Sequence, residues 1–188
     1  MNKLLTDKEL VQEIQSGNQE AMEVLVKRHY KTVYAFVYRK IGDKHTSYDL
    51  TQEVFIKMMK NINSYTQKAA FQTWLLTIAV NHCRDYFRSK AFQQSSKTDE
   101  FEESFNTSSH DDIAFIFEKN ENRQKIKNAI SELPEYQSEA ILLKYFHDLK
   151  IKEIAEVTNS NVSTVKSRLK QGLAKLRMIL DGSGSFEQ

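Results

Sequence analysis

Residues 154–169 constrain the fold of this chain more than any other segment, because their spacing predicts two short helices joined by a tight turn. The small Ala155 allows two helices to approach closely. Asn159 falls where the turn requires a positive φ, a geometry that Asn tolerates better than most residues. Val165 is placed to pack the second helix on the first. These three residues at these offsets predict a helix-turn-helix.

The outer face of that second helix carries hydroxyl and basic side chains, which suit phosphates and base edges. We predict that Lys166, Ser167 and Lys170 contact bases, because they lie opposite the apolar face. Arg168 is either a phosphate clamp or a side chain that folds back on the domain. The candidate DNA contacts of this segment are Ser163, Thr164, Lys166, Ser167, Arg168 and Lys170. An ordinary helical hairpin with a solvated face is the alternative interpretation.

The rest of the chain also predicts helices, so the expected fold class is all-α. One proline, Pro134, and five glycines interrupt the 188 residues, of which 40% are hydrophobic, and no segment alternates cleanly enough for a strand. In the N-terminal part we expect a capping box at 6–9, a cap at Asn18, a break at 42–43 and a helix start at Thr46 or Ser47. A loop over 61–70 and a helix from 71 to about 88 should follow. In the C-terminal part we expect a helix from about 112 to 132 and another that starts at Pro134.

A polar, Ser-rich and acidic connector divides the chain. Residues 91–122 carry 2 Lys and Arg against 8 Asp and Glu, whereas residues 1–90 carry 14 against 9 and residues 123–188 carry 11 against 8. We predict a flexible linker without regular structure over 91–112. The predicted organisation is therefore two helical domains, at 1–90 and 113–181, joined by this linker and followed by a flexible tail at 182–188.

Composition and motifs argue against an enzyme. The five histidines are scattered without metal-ligand spacing, and no Gly-rich phosphate loop occurs. The single cysteine, Cys83, excludes an internal disulfide and a Cys-based zinc site, and we expect it to be a plain packed or half-exposed thiol. We therefore expect no catalytic residue, no metal and no cofactor. No signal peptide or long apolar run is present, so we expect a cytoplasmic protein without membrane insertion.

Three segments in order, at 49–57, 71–88 and 133–177, together resemble the bacterial RNA polymerase sigma factors of the extracytoplasmic-function (ECF) group. The resemblance implies sigma domain two at the N-terminus and sigma domain four, with its helix-turn-helix, at the C-terminus. It further implies a transcription regulator that binds core RNA polymerase, recognises the −10 and −35 promoter elements and helps to open the DNA duplex. Its implied partners are the β′ clamp and β flap of core polymerase, promoter DNA and an anti-sigma factor.

The resemblance assigns two further sets of residues. In the family, a helix matching 49–57 docks on the β′ clamp helices, and Asp49, Gln52 and Glu53 fall at helical spacing that suits a basic partner helix. The candidate polymerase contacts are Asp49, Leu50, Gln52, Glu53 and Phe55. The loop at 61–70 and the following helix would capture unpaired bases, which stack on rings beside basic groups. The candidate −10 contacts are Asn63, Ser64, Tyr65, Lys68, Asn81, Arg84 and Arg88.

Three positions depart from the family pattern, and two other functions stay open. Tyr48 stands where a carboxylate often precedes Asp49, Asn159 replaces a common turn Gly, and Gln137 stands where Arg is frequent. For Trp74, which shares a stripe with Ile78, we favour core packing over base contact.

One alternative function is a stand-alone regulator with an N-terminal sensing or dimerising domain. The other is a sigma-like decoy that occupies an anti-sigma factor without initiating transcription.

Overall fold

The computed structural model describes residues 5–96 and 121–181, and in both ranges the regular structure is helical, without strands. The prediction of an all-α fold is therefore confirmed for these ranges. The α-helices are α1 Asp7–Gln15, α2 Gln19–Ile41, α3 Lys44–Asn61, α4 Phe71–Ser96, α5 Glu121–Ser131, α6 Glu135–Tyr145, α7 Ile151–Val157 and α8 Val162–Leu180, with a 3-10 turn at Ile62–Ser64. The predicted tail at 182–188 lies outside the described residues.

Local sequence signals set several helix ends as predicted. The Thr6 N–H donates to Glu9 Oε2 at 2.7 Å and the Glu9 N–H donates to Thr6 Oγ1 at 3.3 Å, which completes the predicted capping box of α1. Asn18 caps α2 through a 3.0 Å bond from the Glu20 N–H. Gly42 ends α2 with a φ of 86°, a left-handed conformation that glycine adopts without steric cost.

Two predicted boundaries differ from the structure. The third helix begins at Lys44 and not at Thr46 or Ser47, because Asp43 accepts the Thr46 N–H at 2.6 Å and serves as the cap. The fourth helix continues to Ser96, so residues 91–96 of the predicted linker are helical. No Gly or Pro interrupts the chain there, and helix propagation is favourable once a helix has started. The rest of the predicted linker, and the stretch before α5, lie outside the described residues.

The helices form two halves, which we call the N-terminal half (α1–α4) and the C-terminal half (α5–α8). In the N-terminal half, α2 contacts each of the other three helices. In the C-terminal half, α6 packs on α7 and α8. Gly172 permits the close approach of α8 to α6, since a Cβ there would lie 2.8 Å from Ile141 Cδ1 and 3.3 Å from Gln137 Cβ.

The two halves also pack against each other. Helix α4 contacts α7, and α2 contacts both α5 and α6. The ring of His147 meets Phe36 edge-on with centroids 5.6 Å apart, and Lys127 Nζ donates to the Tyr38 hydroxyl at 2.9 Å. Buried apolar residues of both halves therefore form one continuous core.

Candidate nucleic-acid and polymerase interfaces

The predicted helix-turn-helix is present as α7, a tight turn and α8. Asn159 has the predicted positive φ, at 47°. The Ser160 N–H donates to the Ala155 carbonyl at 2.9 Å, which closes the turn, and Thr158 Oγ1 donates to the Ile154 carbonyl at 2.7 Å. Val165 is fully buried and packs α8 onto its neighbours. The geometry leaves the opposite face of α8 available to a partner.

That face carries most of the candidate contacts predicted for this segment. Ser163, Lys166, Ser167 and Lys170 are exposed, and Thr164 is half-exposed near the start of the helix. On this face Gln171 Nε2 donates a hydrogen bond of 3.3 Å to Ser167 Oγ. The predicted base-contacting residues and the predicted phosphate-contacting residues thus share one accessible surface.

Arg168 adopts the second of its two predicted arrangements and folds back on the protein. Its Nη1 donates to Ser160 Oγ at 2.8 Å, and its guanidinium carbon lies 4.7 Å from the centroid of the Tyr136 ring. These contacts tie α8 to the turn and to α6. In this conformation Arg168 stabilises the helix-turn-helix from behind its exposed face.

Sequence reasoning missed two residues beside the recognition helix. Lys152 on α7 and Asn161, the cap residue of α8, line an open hollow together with Thr164. In helix-turn-helix proteins the first helix crosses the DNA backbone. The basic character of Lys152 in the first helix, α7, is therefore a sequence signal for a phosphate contact.

The loop at 61–70 divides its candidate −10 contacts between surface and core. Asn63, Ser64 and Lys68 are exposed, as a role in base capture requires. Tyr65 is 9% exposed, and its hydroxyl donates to the Ala69 carbonyl at 2.6 Å. Its ring lies 4.9 Å from that of Trp74, which itself packs against the core as predicted. Tyr65 therefore packs inside the N-terminal half in this structure, and its contact with the −10 element stays a prediction.

Helix α4 carries the other candidate −10 contacts on one side, at spacings of three and four residues. Asn81 and Arg88 are exposed, and Arg88 Nη1 forms a surface ion pair with Asp85 at 3.3 Å. Arg84, between them, is turned toward the C-terminal half and forms two hydrogen bonds to Glu139. One member of this set is thus engaged within the molecule.

The candidate polymerase contacts lie on α3, and the helix splits them between two faces. Asp49, Gln52 and Glu53 are exposed, as predicted. Leu50 and Phe55 are 6% and 5% exposed and belong to the core of the N-terminal half, so they support this face from within and do not form its surface. The periodicity of α3 explains the difference, because they lie on the buried side with Val54 and Met58.

The apolar side chains that α3 does expose are others, at four-residue steps around Gln52. Tyr48 is 45% exposed and Ile56 is 44% exposed, and Met59 is 42% exposed one turn further along. The sequence could have predicted their exposure, because residues four positions before and after the exposed Gln52 lie on the same face of a helix. The exposed surface of α3 is therefore a mixed acidic and apolar stripe.

His82 connects this stripe to α4. Lys57 Nζ lies 2.7 Å from His82 Nδ1, and His82 Nε2 lies 2.8 Å from Glu53 Oε2. Burial lowers the pKa of His82, and the nearby Lys57 lowers it further. The neutral imidazole accepts from Lys57 at Nδ1, whereas its Nε2 is close to Glu53 without the alignment of a hydrogen bond. His82 on α4 thus contacts a candidate docking residue of α3.

Three further features of the described residues concern metal binding, thiol reactivity and membrane insertion. Among residues 5–96 and 121–181, no three His, Cys, Asp or Glu side chains are grouped to hold a metal ion. Cys83 is fully buried, and burial raises the pKa of its thiol to about 12, so it stays protonated at neutral pH. None of the helices described in those ranges has the length and apolar character needed to cross a membrane.

Comparison with known families identifies both halves. Residues 25–93 match the family model of Sigma-70 region 2, and residues 123–176 match that of Sigma-70, region 4. These two regions, with the helix-turn-helix in the second, define a transcription initiation factor of the sigma type, a class that is not enzymatic.

Individual relatives narrow this class. The chain is 33% identical over 175 residues to the ECF RNA polymerase sigma-E factor of Escherichia coli strain K12, covering 90% of this chain and 91% of the relative. It is 31% identical over 172 residues to the ECF RNA polymerase sigma factor BldN of Streptomyces coelicolor, covering 89% of this chain and 64% of BldN. The chain belongs to the ECF group of RNA polymerase sigma factors.

Solved structures share the fold. The sigma factor RpoE from Bartonella quintana, in complex with the anti-sigma factor NepR, aligns with a TM-score of 0.72 at 20% identity, over 86% of this chain and 98% of RpoE. CnrH, in complex with the cytosolic domain of CnrY, aligns with a TM-score of 0.67 at 24% identity, over 94% of this chain and 97% of CnrH. The two-part helical architecture described above is thus the architecture of known sigma factors.

Proposed function

We propose that this sigma factor uses three separate surfaces to start transcription. The exposed stripe of α3 docks on core RNA polymerase, the loop at 61–70 with α4 captures the −10 element, and the outer face of α8 contacts the −35 element. The observation that carries this proposal is that each of these helices buries one face and leaves a polar set exposed on the other.

The charge on each surface fits its proposed partner. Asp49 and Glu53 give α3 an acidic character that suits a basic helix of polymerase. Lys166 and Lys170 give α8 a positive face that suits DNA, where release of counterions from the phosphates favours binding. Tyr48 and Ile56 add apolar area to the α3 stripe, which strengthens a protein contact more than a nucleic-acid contact.

We also propose an anti-sigma factor as a partner, because both solved relatives of the same fold are in complexes that contain a partner, named for RpoE as an anti-sigma factor. The place of action would be the cytoplasm, where RNA polymerase works. The exposed stripe of α3 favours this proposal over a stand-alone regulator, which has no need of a polymerase-docking surface, and the transcription assay below separates it from a decoy.

Charge reversal of the docking stripe tests the proposal. Asp49→Lys with Glu53→Lys should weaken binding to purified core polymerase at least tenfold, because an attractive surface becomes repulsive. The matched control reverses the two exposed carboxylates of α2, with Glu20→Lys and Glu23→Lys, and should bind core enzyme like the unchanged protein. Circular dichroism should show equal helix content in both variants.

Transcription in vitro gives the second measurement. With core polymerase and a promoter library, the unchanged protein should produce transcripts whose mapped 5′ ends share common upstream elements. The docking variant should lose most of this output, and the α2 control should keep it. Undiminished polymerase binding by the folded docking variant would show that α3 is not the docking surface.

A further inference from the structure

An open hollow of about 390 Å³ lies where α2 and the start of α4 meet the turn between α6 and α7. Three chain segments that are distant in sequence bring polar groups to its wall. The groups that matter here are Lys31, Thr32 and Arg39 from α2, Gln72 from α4, and His147 and Asp148 from the turn. None of the residues that we assign to polymerase or to DNA is among them.

The two cations of the hollow lie on one stripe of α2. Lys31 and Arg39 are about two helical turns apart, so both side chains can point toward the same neighbour. The guanidinium carbon of Arg39 lies 4.6 Å from the centroid of the Phe146 ring, and its Nη1 donates to the Ala35 carbonyl at 3.3 Å. Neither cation forms an ion pair with a carboxylate of the described residues. Burial lowers the pKa of Arg39, and no nearby negative charge offsets this effect.

The inner wall of the hollow also contains an unpaired polar group. His147 is 8% exposed, and its Nε2 is buried without a hydrogen-bond partner among the residues that the structure describes. Burial lowers the pKa of His147 to about 4, and Arg39 acts in the same direction, against Asp148. The ring is therefore neutral at pH 7 and can donate one N–H. Buried polar groups are normally hydrogen-bonded, so an unpaired one beside a hollow favours a polar ligand there.

Neutral donors complete the wall. Gln72 lies in the first turn of α4, where the backbone N–H groups have no partner within the helix and the helix dipole favours negative charge. Thr32 adds a hydroxyl from α2. Neither side chain forms a hydrogen bond with another described residue. The donors thus converge from two helices and a turn, which suits an anion whose oxygens point in several directions.

We propose that this hollow binds a small phosphate, as the free ion or as a monoester, with Lys31 and Arg39 as its charge partners. The planar guanidinium of Arg39 matches two phosphate oxygens, and the ammonium of Lys31 adds a point charge. Gln72, Thr32 and His147 supply neutral donors. The bound phosphate would connect α2 and α4 of the N-terminal half to the turn that precedes the helix-turn-helix. This inference does not depend on the polymerase and promoter contacts proposed above.

Asp148 gives the proposal a test of sign. Its carboxylate is exposed at the edge of the hollow, and it repels an anion. The residue has a φ of 54°, a left-handed conformation that asparagine also tolerates. Asp148→Asn therefore removes the charge without straining the turn, and it should strengthen phosphate binding.

A titration of the full, 15N-labelled protein with potassium phosphate, followed by NMR at pH 7.5, tests the site directly. Potassium chloride keeps the ionic strength constant. The amide signals of Gln72 and His147 should shift along one saturable curve, whereas potassium chloride alone should give no saturation. Glycerol 3-phosphate is the second arm. An affinity similar to that of inorganic phosphate would assign a monoester site, and a much lower affinity would assign a site for the free ion.

Variants of the wall should change the affinity in opposite directions. Arg39→Gln should weaken phosphate binding about tenfold, because it loses both a charge and a paired donor. Lys31→Ala should weaken it about threefold, and this exposed change should not disturb folding. Asp148→Asn should tighten it about threefold by removing a like charge. Lys8→Ala, which removes an exposed cation of α1, is the matched control and should leave the affinity unchanged.

Thermal unfolding supplies a second measurement. At equal ionic strength, phosphate should raise the Tm of the unchanged protein and of Lys8→Ala more than that of Lys31→Ala, because a ligand stabilises the state that binds it. The inference fails if all three proteins gain equally, or if Lys31→Ala and Asp148→Asn bind phosphate as the control does. It also fails if a short oligothymidylate shifts the same signals at a lower concentration than phosphate, because the ligand would then be a nucleic-acid backbone.

Discussion

Helices α8 and α4 carry the candidate DNA contacts of the two halves, and they hold those contacts in different ways. On α8, Val165 and Leu169 pack into the C-terminal half, and the opposite face stays open. On α4, Val80 and Cys83 are fully buried, but Arg84 is bound by Glu139 of the other half. The difference shows that a helix at the edge of the molecule keeps its partner surface free, whereas a helix between two halves shares it.

The same contrast extends to the segments that precede the two helices. The turn before α8 orders itself through backbone bonds, such as that from the Ser160 N–H to the Ala155 carbonyl. The loop before α4 adds to its backbone bonds the burial of one large ring, that of Tyr65, and a side-chain bond from Gln15 Nε2 to the Ile62 carbonyl at 2.9 Å. We therefore expect substitutions around α4 to affect stability and function together, and substitutions on the face of α8 to affect function alone.

The largest expected effect is that of Tyr65→Ala. Removing a buried ring that packs on Trp74 and Phe71 should lower the free energy of unfolding by about 3–5 kcal/mol. Tyr65→Phe should cost only about 1 kcal/mol, because it loses the hydrogen bond to the Ala69 carbonyl and keeps the packing. Urea unfolding followed by circular dichroism measures both values.

Exposed Ser64→Ala, in the same loop, is the control and should leave stability unchanged within about 0.5 kcal/mol. The contrast between the two helices would break if Tyr65→Ala were as stable as the unchanged protein and impaired only the opening of promoter DNA. That result would indicate that the ring of Tyr65 stacks on a base of the promoter and does not stabilise the fold.

A second prediction concerns pH and the contact between the halves. Burial lowers the pKa of His147 to about 4, and the nearby Arg39 acts in the same direction, against Asp148. A histidine whose pKa falls on folding favours the folded state only while it is neutral. Its contribution is complete above about pH 6.5, and about 3 kcal/mol of stability should be lost between pH 6.5 and pH 4.

His147→Phe should remove this part of the pH dependence, because an apolar ring can keep the contact with Phe36 without a proton to gain. The test compares free energies of unfolding at pH 7.5 and pH 4.5 for the unchanged protein, for His147→Phe, and for His45→Phe on the exposed surface. An equal loss on acidification in all three proteins would mean that other groups carry the acid sensitivity, and that the contact between the halves is not its source.

Local sequence signals were enough to predict the helices, but not the contacts between distant residues. The capping box of Thr6 and the turn at Asn159 act within a few residues, so a single segment contains all the information. Arg84 and Glu139 are 55 residues apart, and their pairing depends on how two halves with separate patterns meet. The burial of Leu50 and Phe55 follows from helical periodicity, because they share the buried side of α3 with Val54 and Met58, whereas the family resemblance covers both faces of the segment.

The smallest expected effects lie on the open face of α8, and they should be purely functional. Lys166→Ala should change the preferred base at one position of the −35 element, at a cost of about 1–3 kcal/mol for the lost contact. Lys166 is exposed, so the free energy of unfolding should not change. Thr164→Ala, at the start of the helix beside the backbone N–H groups, should instead weaken binding to all upstream sequences about equally, by about 1 kcal/mol.

Promoter output of the full factor with core polymerase, measured across a library randomised in the upstream element, separates these two effects. A base contact changes the order of the sequences, whereas a phosphate contact lowers all of them together. If Lys166→Ala reduces output uniformly, Lys166 touches the DNA backbone and Ser167 or Lys170 must contact the base. If Lys166→Ala also lowers the free energy of unfolding, the exposed face of α8 contributes to folding as that of α4 does, and the contrast between the two helices disappears.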